Sequence, residues 1–161
     1  MPRAYLGLGT NIGNRRANLQ EAVRLLTRAS GVTLDGQSSI YETTPVGVEE
    51  QPDFLNMVVA VQTEFAPREL LNLARSIEQQ MGRQAGPRWG PRVIDVDVLL
   101  CGDAEVQEQD LTVPHPRMWA RAFVLVPLGE VAPDLAGPGG EMVRDLAERA
   151  QGEVRRWEGG E

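Results

Sequence analysis

The chain has no lysine, a single cysteine and a single histidine. Its 16 basic residues are therefore all arginine, which excludes a lysine-bearing phosphate loop and any Schiff-base lysine but supplies the better bidentate phosphate ligand. Cys101 has no partner for an internal disulfide and reads as a structural residue at a strand end. With His115 the only imidazole, a zinc site lacks ligands. Acidic residues number 23, and the net charge of −7 argues against nucleic-acid and anionic-membrane surfaces, so a polyphosphate would have to meet positive charge that is local. No apolar run is long enough to span a bilayer, and Met1 to Tyr5 leads into a strand without a leader's apolar stretch, which makes a cytoplasmic location the expectation. A length of 161 residues with 42% hydrophobic residues predicts one domain over 1–161 with a sizeable core.

Ala4 to Gly9 reads as a first strand, closed by Thr10-Asn11-Ile12-Gly13-Asn14. Gly7, Gly9 and Gly13 have the wrong spacing for a dinucleotide-binding fingerprint, and the motif is read as the strand running into a tight strand-to-helix turn. Leu19, Ala22, Val23, Leu26 and Ala29 recur at helical spacing and predict a helix from about Arg16 to about Ser30, stopped at Gly31. A strand is expected from Val32 to about Thr43, then a Pro- and Gly-containing loop, then a strand from Phe54 to about Thr63. In that last strand Leu55, Met57, Val59 and Val61 share a core face, with Phe54, Asn56, Val58 and Ala60 opposite. An aromatic ring beside an amide can hold a flat, hydrogen-bonding heterocycle; ordinary packing also produces such a pair.

Pro67 opens a second helix that runs through Leu70, Leu71, Ala74, Ile77 and Met81 and ends at Gly82. Beyond Leu100, Cys101-Gly102-Asp103 turns the chain, and Pro114 and Pro116 fix the backbone around His115. Met118 to Leu128 reads as a short helix cut by Pro127, Met142 to Ala150 as a last amphipathic helix, and Val154 to Trp157 as a terminal strand. The order strand, helix, strand, strand, helix, strand predicts an α+β, two-layer ferredoxin-like βαββαβ core: an antiparallel sheet with helices on one face and extra helices near the C-terminus. The other sheet face is left for a site.

The stretch Arg88-Trp89-Gly90-Pro91-Arg92-Val93-Ile94-Asp95-Val96-Asp97-Val98-Leu99-Leu100 organises the rest. Period-2 alternation puts Ile94, Val96 and Val98 on one face and Asp95, Asp97 and Leu99 on the other. The two carboxylates project from Cα atoms roughly 6.6 Å apart, where unit charges repel by about 2.5 kcal/mol at an effective dielectric near 20. A cation reverses that sign, and a thiol-free oxygen pair suits Mg²⁺, which completes its shell with water and substrate phosphates. The plain alternative is a half-exposed strand with an acidic polar face, although Asp is depleted in strands.

Arg-x-Gly-Pro-Arg-x-x-Asp-x-Asp followed by two aliphatics resembles the signature of the 6-hydroxymethyl-7,8-dihydropterin pyrophosphokinases, folate-pathway enzymes. Gly9-Thr10-Asn11, Tyr41 to Gly47, Gln51 to Asn56, Gly82-Arg83 and Leu111 to His115 extend the resemblance over nearly the whole chain. It implies transfer of the terminal diphosphate of ATP to the pterin hydroxymethyl oxygen with release of AMP, by a Mg²⁺-dependent transferase. Two Mg²⁺ would be held by Asp95 and Asp97, with Asp97 also accepting the hydroxyl proton. Arg83 and Arg92 would stabilise the transferring group. Arg88, Trp89, Arg92, His115 and Arg121 would hold ATP, with Val98, Leu111 and Thr112 lining the adenine site. The pterin would stack between Phe54 and Phe123, bond Asn56 and backbone near Thr43 and Val46, and lie beside Trp89 and Asp95. Glu78 would support the metal side. Implied partners are the two small-molecule substrates, no nucleic acid and no membrane, with a monomer and neighbouring folate enzymes expected. Phe54 stands where many relatives carry tyrosine, Gln84-Ala85-Gly86 lacks their extra basic residues, and Pro116 follows the histidine where an aromatic can occur.

Three rivals are weaker. A nucleotide-sugar transferase could use Asp-x-Asp, but 161 residues leave little room for its acceptor domain. A two-metal nuclease is opposed by the acidic net charge. A ferredoxin-like binding module would leave the acidic strand as solvated decoration.

Overall fold

In the computed structural model the described residues are 2–44, 52–82, 93–150 and 154–158. They form, in order, β1 (Arg3–Thr10), α1 (Arg15–Arg28), β2 (Val32–Gln37), β3 (Tyr41–Thr43), β4 (Phe54–Thr63), α2 (Pro67–Gln80), β5 (Asp95–Cys101), β6 (Val106–Glu108), β7 (Leu111–Val113), a 3-10 turn (Met118–Ala120), α3 (Ala122–Val131), α4 (Val143–Arg149) and β8 (Val154–Arg156).

The pivot is β1, where Ala4, Leu6 and Leu8 alternate with Tyr5, Gly7 and Gly9, giving one strongly apolar face and one shallow one. It pairs antiparallel with β4 on one side and β5 on the other, and the sheet order is β5-β1-β4-β3-β8. The first sheet face buries Leu6, Leu8, Leu55, Met57, Val59, Ile94, Val96 and Val98 against Leu19, Ala22 and Leu26 of α1 and Leu70, Ala74 and Ile77 of α2. Both helices begin where their sequence provides caps. The Asn14 side chain accepts the Ala17 N–H at 3.0 Å, and Glu69 accepts the Ala66 N–H ahead of Pro67.

The expected ferredoxin-like order is present, with antiparallel pairing among the described strands. Three expectations need correction. The single strand expected over 32–43 is two, because β2 and β3 both pair with β4, end to end, and the chain breaks step between them. The second sheet face is not left wholly open: Val124, Leu125 and Leu128 of α3, Val143 of α4 and Met118 bury Tyr5, Val58, Ala60 and Leu99. Helix α3 continues past Pro127. As the sixth residue of the helix, Pro127 removes one amide donor near its start, which this buried apolar helix tolerates. No helix among the described residues is long and apolar enough to cross a membrane.

A register shift in β5 makes the two cores compatible. Leu6 lies opposite Val98 but Tyr5 opposite Leu100, so Leu99 is an extra residue; Leu99 and Leu100 both join the second core and Cys101 returns to the first. Strict alternation holds through the Asp95–Asp97 end of β5, where the bulge does not reach.

After α1 the chain reverses at Gly31, whose φ is 93°, with Phe65 packed so that a Cβ there would lie 2.8 Å from its ring. Gly31→Ala is expected to destabilise the protein by about 1–2 kcal/mol or more, from the left-handed backbone and the contact together. Urea denaturation checks it, with an unchanged midpoint contradicting the account.

Candidate active site

Four strands meet in one row on the second sheet face. Gly9 is opposite Asp95 on one side and Asn56 on the other, and Asn56 is in turn opposite Tyr41. Directly paired residues share a face, so the acid, the amide and the space between them look the same way. Two strand spacings separate the Asp95 and Asn56 backbones, about 10 Å, with no side chain between them. Gly9 is required for its lack of bulk: a Cβ there would sit 2.8 Å from Asn56 Nδ2 and 3.7 Å from the Phe54 ring. At Gly7, opposite Asp97, the same atom would make an ordinary 3.6 Å contact with Leu99. Gly7 and Gly9 lie within β1, as the strand expected over Ala4 to Gly9 has it, and the turn glycine is Gly13, with φ 73°.

At the other end of the row the Thr43 hydroxyl donates to Asn56 Oδ1 at 2.6 Å, fixing the amide with its nitrogen over Gly9. Thr43, Phe54 and Asn56 share this face because Thr43 pairs with Phe54 and Tyr41 with Asn56. Phe123, at the start of α3, packs against the core beneath the same face. Its ring carries the Arg121 guanidinium 5.3 Å from the centroid. Burial and Arg117 lower the Arg121 pKa while Asp97 opposes them, so its charge is felt from the acidic strand.

The free edge of β5 is held by an acid. Glu78, buried on α2, accepts the Val96 N–H at 2.9 Å, midway between the two aspartates. This satisfies an edge-strand donor and fixes the strand from the side opposite β1. Behind this edge lies a cleft of about 350 Å³, lined among others by Glu78, Asp97, Val98, Leu111, Thr112 and His115. Four of the residues expected around a nucleotide therefore share one cavity, and Asp97 belongs both to it and to the sheet face. His115 donates its N–H to the Leu99 carbonyl at 2.9 Å and accepts the Arg117 N–H on Nδ1. Burial, then the charges of Arg121 and Arg117, push its pKa below the usual value and keep it neutral at pH 7. The Val113–Pro114 bond ahead of it is cis. A larger cavity of about 680 Å³ between α1 and the strand that ends at Arg156 contains none of the expected residues, so size alone does not locate the site.

Sequence reasoning did not find what anchors the two sides of segment 45–51. Buried Asn11 donates to the Pro52 carbonyl at 3.1 Å, while Arg15 bonds Glu42 at 2.8 Å and the Asp53 carbonyl at 3.0 Å. Arg155 adds a 3.0 Å bond to Asp53. No motif announces such ties, since the partners are backbone oxygens or distant acids. Val46, Arg83, Arg88, Trp89 and Arg92 lie outside the described residues, as do Gln84-Ala85-Gly86.

Residues 5–133 match the family 7,8-dihydro-6-hydroxymethylpterin-pyrophosphokinase (HPPK). The 2-amino-4-hydroxy-6-hydroxymethyldihydropteridine pyrophosphokinase of Bacillus subtilis (strain 168) is 46% identical over 154 residues, 96% of this chain and 89% of that protein. The protein of the same name from Methylorubrum extorquens is 50% identical over 145 residues, 90% of this chain and 91% of its own length. Among solved structures, an HPPK-DHPS in complex with substrates superposes with a TM-score of 0.73 at 16% identity. That match covers 92% of this chain but 43% of the solved one, and it speaks for the fold alone. With the family model matched over residues 5–133 and these two relatives matched over most of their length, the chain belongs to the 7,8-dihydro-6-hydroxymethylpterin-pyrophosphokinase family.

Proposed function

We infer that this chain transfers the diphosphate of ATP to the hydroxymethyl oxygen of 6-hydroxymethyl-7,8-dihydropterin and releases AMP, a step of folate biosynthesis. The observation that carries the reading at the level of residues is the Asp95–Gly9–Asn56 row, which sets an acidic pair beside an amide-bearing floor, with a nucleotide-sized cleft joined to it at Asp97.

On this reading the flat pterin lies over Gly9 between Phe54 and Phe123, with Asn56, oriented by Thr43, matching its polar edge. The adenine lies in the cleft among Val98, Leu111, Thr112 and His115. Neutral His115 is suited to hydrogen bonding there, while Arg121 keeps its charge for phosphate. The donor set fits a hard cation: two carboxylates, no thiol near them, and among the described residues no group of three His, Cys, Asp or Glu side chains that would enclose a metal fully. Asp95 and Asp97 would hold two Mg²⁺, which neutralise the polyphosphate when bound. The pterin oxygen forms its bond to the β-phosphorus, the bond from that phosphorus to the bridging oxygen breaks, and AMP departs with the electron pair. Asp97 takes the hydroxyl proton. Arg83 and Arg92 meet charge developing on the transferring group, Arg88 and Trp89 hold the nucleotide, and Val46 backbone meets the pterin; these five assignments rest on the sequence signature. We further propose one domain acting as a monomer in the cytoplasm, with neighbouring folate enzymes as partners, as the fused HPPK-DHPS chain suggests.

Asp95→Asn and Asp97→Asn are each expected to lower turnover by on the order of 10²–10³-fold or more with the fold unchanged, since charge stabilisation is lost and carboxylate repulsion is relieved. Near-normal turnover at saturating Mg²⁺, with circular dichroism as the control for folding, would remove them from the site. Gly9→Ala is expected to push Asn56 aside and raise the pterin Kd roughly 3- to 10-fold, in keeping with one disturbed hydrogen bond, while an ATP analogue binds as before. Fluorescence quenching reads both. For the reaction itself, ATP, Mg²⁺ and the dihydropterin should yield AMP and the pterin diphosphate on ion-exchange chromatography. ADP as the nucleotide product would overturn the assigned chemistry, and turnover indifferent to pterin would overturn the substrate.

A further inference from the structure

Glu130, next to the last residue of α3, reaches across to the gap between β2 and β3. Its carboxylate accepts the Ser39 N–H at 3.1 Å, the Ser39 hydroxyl at 2.7 Å and the Tyr41 hydroxyl at 2.8 Å, from partners 91 and 89 residues away in sequence. The gap is where the backbone leaves the ladder. Ser38 still pairs with Val58, its N–H bonding the Val58 carbonyl and its hydroxyl accepting the Val58 N–H, but the Ser39 amide turns to the helix. The neutral Tyr41 donor and ionised Glu130 acceptor make a charge-assisted bond. Burial and then Glu130 push the Tyr41 pKa up to about 12, so the phenol keeps its proton. Burial pushes the Glu130 pKa upward, but the Ser39 and Tyr41 donors and Arg156 outweigh it and hold the carboxyl below its ordinary range.

Both ends of this contact continue into the face described above. Seven residues separate Glu130 from Phe123, two helical turns, so the two side chains leave the same side of α3 about 10.5 Å apart along its axis. Tyr41 and Thr43 leave the same side of β3 about 6.6 Å apart. Tyr41 is opposite Asn56, and Thr43 bonds that amide. One carboxylate thus ties the helix that carries Phe123 to the strand that orients Asn56. We propose that Glu130, acting through Tyr41 and Ser39, is a positioning residue that sets the width of the slot between Phe123 and the Phe54–Asn56 strand, and so selects for the flat pterin. This rests on the pterin reading given above.

Glu130→Gln and Tyr41→Phe keep shape and remove the charge or one hydroxyl; Phe123→Ala removes a wall of the slot itself. In the full-length chain, pterin affinity is measured by fluorescence quenching, alone and with a nonhydrolysable ATP analogue bound, together with the affinity for the analogue and the melting temperature. Glu130→Gln and Tyr41→Phe should each raise the pterin Kd about 3- to 10-fold and leave the analogue Kd within about twofold, with the double variant falling short of the product of the two because they share one contact. Parallel losses for both ligands, tracking the melting temperature, would make the contact a structural tie only and overturn the proposal. So would an unchanged pterin Kd in both variants when Phe123→Ala weakens it. If Phe123→Ala also leaves pterin binding intact, the slot is misplaced and the positioning role falls with it.

Discussion

The register of β1 between β4 and β5 is the constraint on which the remainder depends. A strand slipped by one residue exchanges its faces. Such a slip in β5 would carry Asp95 and Asp97 under α2, against Leu70 and Ile77, and lift Val96 and Val98 into solvent. Burying an uncompensated carboxylate costs several kcal/mol, and each exposed aliphatic forfeits about 1.5–3 more. The helix-side core therefore selects the register that puts both acids on the other face, and the site inherits its alignment from packing it does not touch. Because the bulge in β5 sits beyond the acids, at Leu99, the second core can also be filled without disturbing that alignment.

An edge strand bearing two acids is an exposed liability, with repelling side chains and outward N–H groups. The chain resolves the backbone half of this with another acid, Glu78, whose carboxylate accepts the Val96 N–H. An amide or hydroxyl could have satisfied that donor. Using a carboxylate adds negative charge beside an acidic strand, a choice that favours a cation at β5. In the same way Glu130 uses a charged acceptor at the β2–β3 gap, where the partners are a backbone N–H and two hydroxyls. In both places a long acidic side chain from a helix reaches a backbone donor that the sheet leaves unmatched.

Much of this was legible in the sequence because it follows from period. The bounds of β4, the faces of Leu55 to Val61, the two flanking helices and the shared direction of Asp95 and Asp97 all come from alternation by two or recurrence by three and four. Val98, Leu111, Thr112 and His115, distant in sequence in part, line one cleft. What was not legible has a common cause. Gly9 matters for an absent side chain, and that absence has meaning only once Asn56 and Phe54 are known to lie beside it. Ser39, Tyr41 and Glu130 meet across about ninety residues, with no spacing to betray them. The break between β2 and β3 depends on both sharing β4, and the continuation of α3 through Pro127 depends on burial that outweighs a lost helical bond.

A net charge of −7 and two aligned carboxylates are a poor surface for ATP unless cations come first. A single carboxylate and a phosphate charge 4 Å apart repel by about 4 kcal/mol at an effective dielectric of 20, and here there are two acids and several phosphate charges. Arg121, a charged side chain whose field is coupled to Asp97, offsets part of this, and the proposed arginines of segment 83–92 would offset more. On the proposed reading, a cation at Asp95 and Asp97 would bring the polyphosphate to the face before any charge develops in transfer. The proposed arginines would then be reserved for the transferring group, with ground-state neutralisation falling to the strand and its cation. That division would explain how a lysine-free, acidic chain carries a polyphosphate site: its negative charge would recruit the cations that its arginines do not supply.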